Sequence, residues 1–136
     1  MKRALLMGFV LVILCGMEGA AQNRSQVPAG AANGKVIAYY FHFKIRCETC
    51  LKVESEVGKD LQELYSGAVN FKVVNLDDAS GKATADSLKV AGQTLLVTRG
   101  ANRLNLTSEG FLYAVTNPAK LKSVIKKKVD NLIALP

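Results

Sequence analysis

Between Lys35 and Leu64 the chain switches hydrophobic period once, and the switch falls on Cys47-Glu48-Thr49-Cys50. Before it, Val36, Ile37, Tyr39, Tyr40, Phe41 and Phe43 form a β-branched and aromatic run, which predicts a strand over 35–43 buried on both faces. After it, Cys50, Val53, Val57, Leu61 and Leu64 recur at spacings of three and four, while Lys52, Glu56, Lys59 and Glu63 fall elsewhere. That pattern predicts an amphipathic helix over 48–65. A strand that feeds directly into a helix opens a βα unit, so a parallel sheet is expected at least in part.

The remaining signals complete an alternating order. Gly67 stops the helix, and Val69, Phe71, Val73 and Val74 predict a second strand that ends before Asp77 and Asp78. Ala83, Ala85, Leu88 and Val90 suggest a short second helix. Thr94–Thr98 and Arg103–Thr107 flank Gly100 and Asn102, the pattern of two strands joined by a tight turn. Asn117 and Pro118 open a last helix over 118–133, with Leu121, Val124, Ile125, Val129 and Leu132 on one face. The expected architecture is α/β, with a central mixed four-stranded sheet flanked by helices in the order βαβαββα. Gly110-Phe111-Leu112-Tyr113 shows no clear period; core packing under the sheet is its simpler reading and a partner-binding loop the other. With 136 residues, 49% of them hydrophobic and 21% charged, the chain suits one folded domain and excludes a multidomain enzyme.

The first residues read differently. Lys2 and Arg3 precede an apolar run from Ala4 to Met17 that ends in Gly19, Ala20 and Ala21, which predicts a secretion signal over 1–21. Gly8 and Gly16 interrupt the run, and it is shorter than the roughly 20 apolar residues of a bilayer span, which argues against an uncleaved anchor. Lipidation at Cys15 stays open, although Leu14 is not the small residue such a site needs. Residues 22–34, small and polar with one proline, read as a flexible linker, and 35–136 as the folded domain. Cleavage after Ala21 would remove Lys2, Arg3 and Glu18, leaving a net charge of +6 out of the formal +7. It would also remove Cys15, isolating Cys47 and Cys50 in an exported protein, expected in the periplasm or the bacterial cell envelope.

The Cys-x-x-Cys spacing at a helix start carries the chemistry. A thiolate there faces unpaired backbone N–H groups and the positive end of the helix dipole, which lowers its pKa. Cys47 lies at that terminus and is the expected nucleophile; Cys50, one turn in and on the apolar face, is the expected resolving thiol. Arg46, Glu48 and Thr49 are the expected tuning residues, with Arg46 favouring the thiolate and Glu48 opposing it. His42, the single histidine, reads as a structural strand residue rather than a proton carrier.

A strand, Cys-x-x-Cys at a helix start, and then βαββα is similar to the thioredoxin fold over about residues 35–133. Within it, YYFHFKIRCETC, VAGQTLLVTRG and SEGFLYAVTNPAKL resemble small exported bacterial thioredoxin-like proteins described as a nitrophenyl-compound nitroreductase subunit. No segment reads as a flavin or nicotinamide site, so a thiol-redox role without a cofactor is the expectation. The resemblance implies protein thiols or disulfides as partners and a membrane-embedded thiol-reductant conduit as electron source. Three departures from the thioredoxin pattern stand out. Arg46 replaces the tryptophan before the first cysteine, and Phe41 falls where a buried acid is usual, six residues before it. Gly92-Gln93-Thr94 stands where a Gly-x-Pro-Thr segment would supply a cis-proline, so a trans peptide and an altered substrate-docking edge are expected at Gly92, Gln93 and Thr94.

Two other uses of the cysteines compete. Thiolates suit Cu(I), so a copper-binding or delivery module is the alternative; such domains end on a strand, whereas this chain ends on a helix. An inert structural disulfide is the third reading. Lys126, Lys127 and Lys128 are expected to complement a helix C-terminus rather than bind nucleic acid, and a monomer is expected. The triplets Asn23-Arg24-Ser25 and Asn105-Leu106-Thr107 match a glycosylation acceptor and are read as chance.

Overall fold

The structure, a computed structural model, describes residues 34–136. The expected secretion signal, Cys15, Asn23 and the linker up to residue 33 lie outside the described residues. The elements are β1 (Val36–His42), α1 (Glu48–Tyr65), β2 (Val69–Asn75), α2 (Ala79–Ser87), β3 (Thr94–Arg99), β4 (Asn102–Asn105), α3 (Thr107–Tyr113) and α4 (Pro118–Ala134).

One four-stranded mixed sheet runs in the order β2-β1-β3-β4. β1 is central, parallel to β2 with Val36 opposite Val69 and antiparallel to β3 with Phe41 opposite Thr94. Its alternate side chains serve two cores. Val36, Ala38 and Tyr40 join Val53, Val57 and Leu61 of α1 and Leu121, Ile125, Val129 and Leu132 of α4. Phe41 packs on the other face with Leu76, Ala85 of α2 and Leu96. The sheet is therefore covered on both sides, and β1 ends at the junction with α1 where the cysteines lie.

Two expectations need correction. The order carries one more helix than βαβαββα: Thr107, placed at the end of the last strand, begins α3, and the aperiodic stretch 110–113 completes it. A helix of seven residues is too short to show a repeat, and its start is built from polar groups. Asn105 Oδ1 accepts from the Thr107 N–H at 2.9 Å, and the Leu95 N–H donates to Thr107 Oγ1 at 2.9 Å. Phe111 and Tyr113 are partly buried against the core, and Gly110 is small because an added Cβ would come within 3.3 Å of Val53 Cγ1. The second correction is that α2 begins at Ala79 rather than near Ala83, with Asp78 as its extended N-cap. Its first turn, Ala79-Ser80-Gly81-Lys82, is largely exposed and polar, so it carries no apolar period; only Gly81 there is buried.

Candidate redox site

The loop from Phe43 to Arg46 delivers the chain from β1 to α1 and is pinned to the end of β2. The Leu76 N–H donates to the His42 carbonyl at 2.7 Å, and the Lys44 N–H donates to Asp77 Oδ2 at 2.6 Å. Cys47 then adopts an extended conformation and caps α1. Its sulfur accepts from the Cys50 N–H at 3.3 Å, and its carbonyl accepts from the Leu51 N–H at 3.1 Å. Ser, Thr, Asp or Asn usually provides the cap acceptor. Here sulfur provides it, so one of the N–H groups left open at the helix start, that of Cys50, is satisfied by Cys47.

Cys47 is exposed and Cys50 only 6% exposed, and the two are joined by a disulfide with a Cα–Cα distance of 5.1 Å. The structure thus brings together the pair expected from sequence and separates them by burial. Glu48 is exposed and Thr49 half-buried on the first turn. Arg46 forms an ion pair with Glu54, one turn beyond Cys50. The cation expected to favour the thiolate is therefore shared with a carboxylate on the same helix. Ile45, 94% exposed, and Leu51, 49% exposed, add apolar surface on either side of the pair in sequence.

Beneath the disulfide lies a group that the sequence reading missed. The Tyr40 hydroxyl, on a fully buried side chain, donates to the Cys50 carbonyl at 3.0 Å and accepts from Gln93 Nε2 at 2.8 Å. Burial raises the phenol pKa above its ordinary value, and the Gln93 hydrogen bond offsets part of that rise. Phe41, where a buried acid would fall by counting back from Cys47, points to the opposite face of the sheet. Strand alternation narrows the choice without making it: of two neighbouring residues only one faces α1, and here it is Tyr40. His42 lies at the end of β1, 6% exposed, with its ring centroid 6.2 Å from that of Tyr40 and Nδ1 2.8 Å from the Phe43 carbonyl oxygen.

Of the expected docking edge, Gln93 reaches the redox pair through Tyr40. Thr94 opens β3 and donates from Oγ1 to the Gly92 carbonyl at 2.9 Å. All peptide bonds among the described residues are trans, including that between Gln93 and Thr94. Among the described residues no group of three or more His, Cys, Asp or Glu side chains is placed to hold a metal ion. A metal reading rests on the two cysteines alone.

A second ionisable group was also missed. Asp60 lies ten residues beyond Cys50 on α1, about 15 Å along the helix at its usual rise. It is 3% exposed, and its Oδ2 is buried without a hydrogen-bond partner. Burial pushes its pKa up from 3.8 to about 6, against the opposing pull of Lys122 on α4.

No known family profile matches the chain, and no curated protein matches it. Solved structures do. Oxidised thioredoxin O2 from Arabidopsis thaliana is 19% identical, with a TM-score of 0.51 over 69% of this chain and 75% of that one. Thioredoxin-2, a component of malaria parasite protein secretion machinery, is 25% identical, with a TM-score of 0.49 over 69% of this chain and 84% of that one. A thioredoxin from Trypanosoma brucei brucei is 17% identical, with a TM-score of 0.46 over 72% and 79%. The central β1, the Cys47–Cys50 disulfide at its junction with α1 and the likeness to the Arabidopsis protein together establish that this chain has a thioredoxin-like α/β fold.

Proposed function

We propose that the protein is an exported thiol–disulfide oxidoreductase or electron-relay protein. The observation that carries this reading is the capping sulfur: Cys47 is exposed, disulfide-bonded to buried Cys50, and accepts the Cys50 N–H. In the reduced protein the Cys47 thiolate attacks a sulfur of a partner disulfide, forms a mixed disulfide and releases one partner thiolate. Cys50 then gives up its proton to solvent, and its sulfur attacks Cys47 Sγ. The internal disulfide closes and the second partner thiolate leaves. Two electrons have passed to the partner; the reverse sequence oxidises a partner dithiol.

Export rests on Lys2, Arg3 and the apolar run to Met17, and places the protein in the periplasm or cell envelope. A membrane-embedded dithiol reductant is the proposed electron source, and the protein acts as a monomer. The link to a nitroreductase subunit reduces, on this reading, to a thiol-redox accessory role. Equilibrating the protein with glutathione redox buffers and counting free thiols by mass spectrometry tests the reading. One reversible two-electron couple at Cys47 and Cys50 is expected. A pair that stays oxidised in dithiothreitol would favour an inert disulfide, and tight Cu(I) binding without exchange would favour metal delivery.

A further inference from the structure

The hydrogen bonds under the redox pair run in one direction. Gln93 Nε2 donates to the Tyr40 hydroxyl at 2.8 Å, that hydroxyl donates to the Cys50 carbonyl at 3.0 Å, and the Cys50 N–H donates to the Cys47 sulfur at 3.3 Å. Cys50 is thus held from both ends of its own backbone. Its N–H is the single hydrogen bond given to the Cys47 sulfur among the described residues. That bond is worth most when the sulfur is a thiolate, because charge-assisted hydrogen bonds are about twice as strong as neutral ones. Anything that lets the first turn of α1 rotate weakens it. Nothing in helix formation itself requires the Tyr40 hydroxyl; a phenylalanine would fill the same core volume.

We propose that Tyr40 and Gln93 are positioning residues for the Cys47 thiolate, fixing the backbone of Cys50 so that its N–H stays aimed at the sulfur. Gln93 adds a second consequence. It is half-buried in the segment that enters β3, so a partner polypeptide that settles on this segment can grip or release the same chain of bonds. The inference deepens the thiol–disulfide reading and rests on it for its biological use.

The test is the rate of Cys47 alkylation by iodoacetamide in the reduced protein, followed from pH 5 to pH 10 by peptide mass spectrometry. Tyr40→Phe should move the midpoint of the profile upward and slow the reaction at pH 7 by about two- to tenfold, the worth of one hydrogen bond. Gln93→Ala should shift it the same way by less. In the Tyr40→Phe background Gln93→Ala should add nothing, since the bond it would weaken is already gone. Unchanged profiles in both single variants would overturn the proposal, and additive shifts would overturn the series arrangement. If Tyr40→Phe lowers stability so far that it cannot be read, Gln93→Ala at its half-buried site decides alone. A profile that shifts as expected in a protein that exchanges with no disulfide would refute the oxidoreductase reading and leave the positioning role standing.

Discussion

Asp60 shows what a single residue can do against its surroundings. It occupies the apolar stripe of α1 with Val53, Val57 and Leu61, yet it is a carboxylate whose Oδ2 is unbonded. Burial favours its neutral form; Glu56 and Glu63 on α1 push the same way, and Lys122 on α4 and Lys59 on α1 oppose it. Because the folded pKa of about 6 exceeds the ordinary 3.8, the folded state binds the proton more tightly than the unfolded chain. The resulting stability is complete below the unfolded value and is lost as pH rises through about 6. Denaturant unfolding should therefore show Asp60→Asn more stable than wild type at pH 8 by about 1–3 kcal/mol, with the difference shrinking by pH 4. An equal difference at both pH values would contradict the pKa account. The sequence hid this residue because a helical repeat counts apolar positions and an acid within the stripe reads as a gap. Tyr40 was hidden for another reason: in a run of three aromatics, the choice of facing residue depends on the length of the loop up to Cys47.

Among elements, α2 owes its position to one glycine. A Cβ on Gly81 would stand 1.7 Å from the Asn75 carbonyl oxygen at the end of β2. Backbone cannot yield cheaply, so Gly81→Ala should destabilise by about 2–4 kcal/mol in a denaturation curve and displace α2 from the sheet. A loss under about 0.5 kcal/mol would show that α2 shifts freely. The end of α1 makes the converse case. The expected stop at Gly67 is shared with Ser66, which caps the helix at φ 46° in the left-handed region. Ser66→Gly should raise stability by about 0.5–1 kcal/mol, read as a higher melting temperature, since relief of the Cβ clash in this region outweighs the extra entropy glycine gives the unfolded chain. The helices α1 and α4 were legible because each buries one face over several turns, and β1 because its β-branched and aromatic run is buried on both faces of the sheet. The helix α3 and the first turn of α2 were not, since their ends are set by Asn105, Thr107 and Gly81 through contacts with other elements.

At the scale of the described domain, Lys126, Lys127 and Lys128 lie inside α4 rather than at its C-terminus, since the last turn of that helix holds no basic residue. Lys126 pairs with Asp130, which also accepts from the Tyr65 hydroxyl at 2.9 Å, and Lys128 pairs with Glu109, so the lysine run partly ties α4 to α1 and α3. What remains distinctive is the end of the sheet where β1 delivers Cys47 to the surface and Cys50 to the core. If the chain is exported as proposed, fractionated cells should hold a form that begins near Gln22; a full-length chain in the membrane fraction would contradict cleavage. The central claim concerns the two sulfurs, and trapping measures it most directly. Oxidised partner proteins are mixed with the reduced Cys50→Ser and Cys47→Ser variants, and mixed disulfides are counted by mass spectrometry. The account predicts that Cys50→Ser accumulates adducts on Cys47, whose resolver is gone, while Cys47→Ser traps little because Cys50 is buried. Equal trapping by both variants, or adducts chiefly on Cys50, would contradict it.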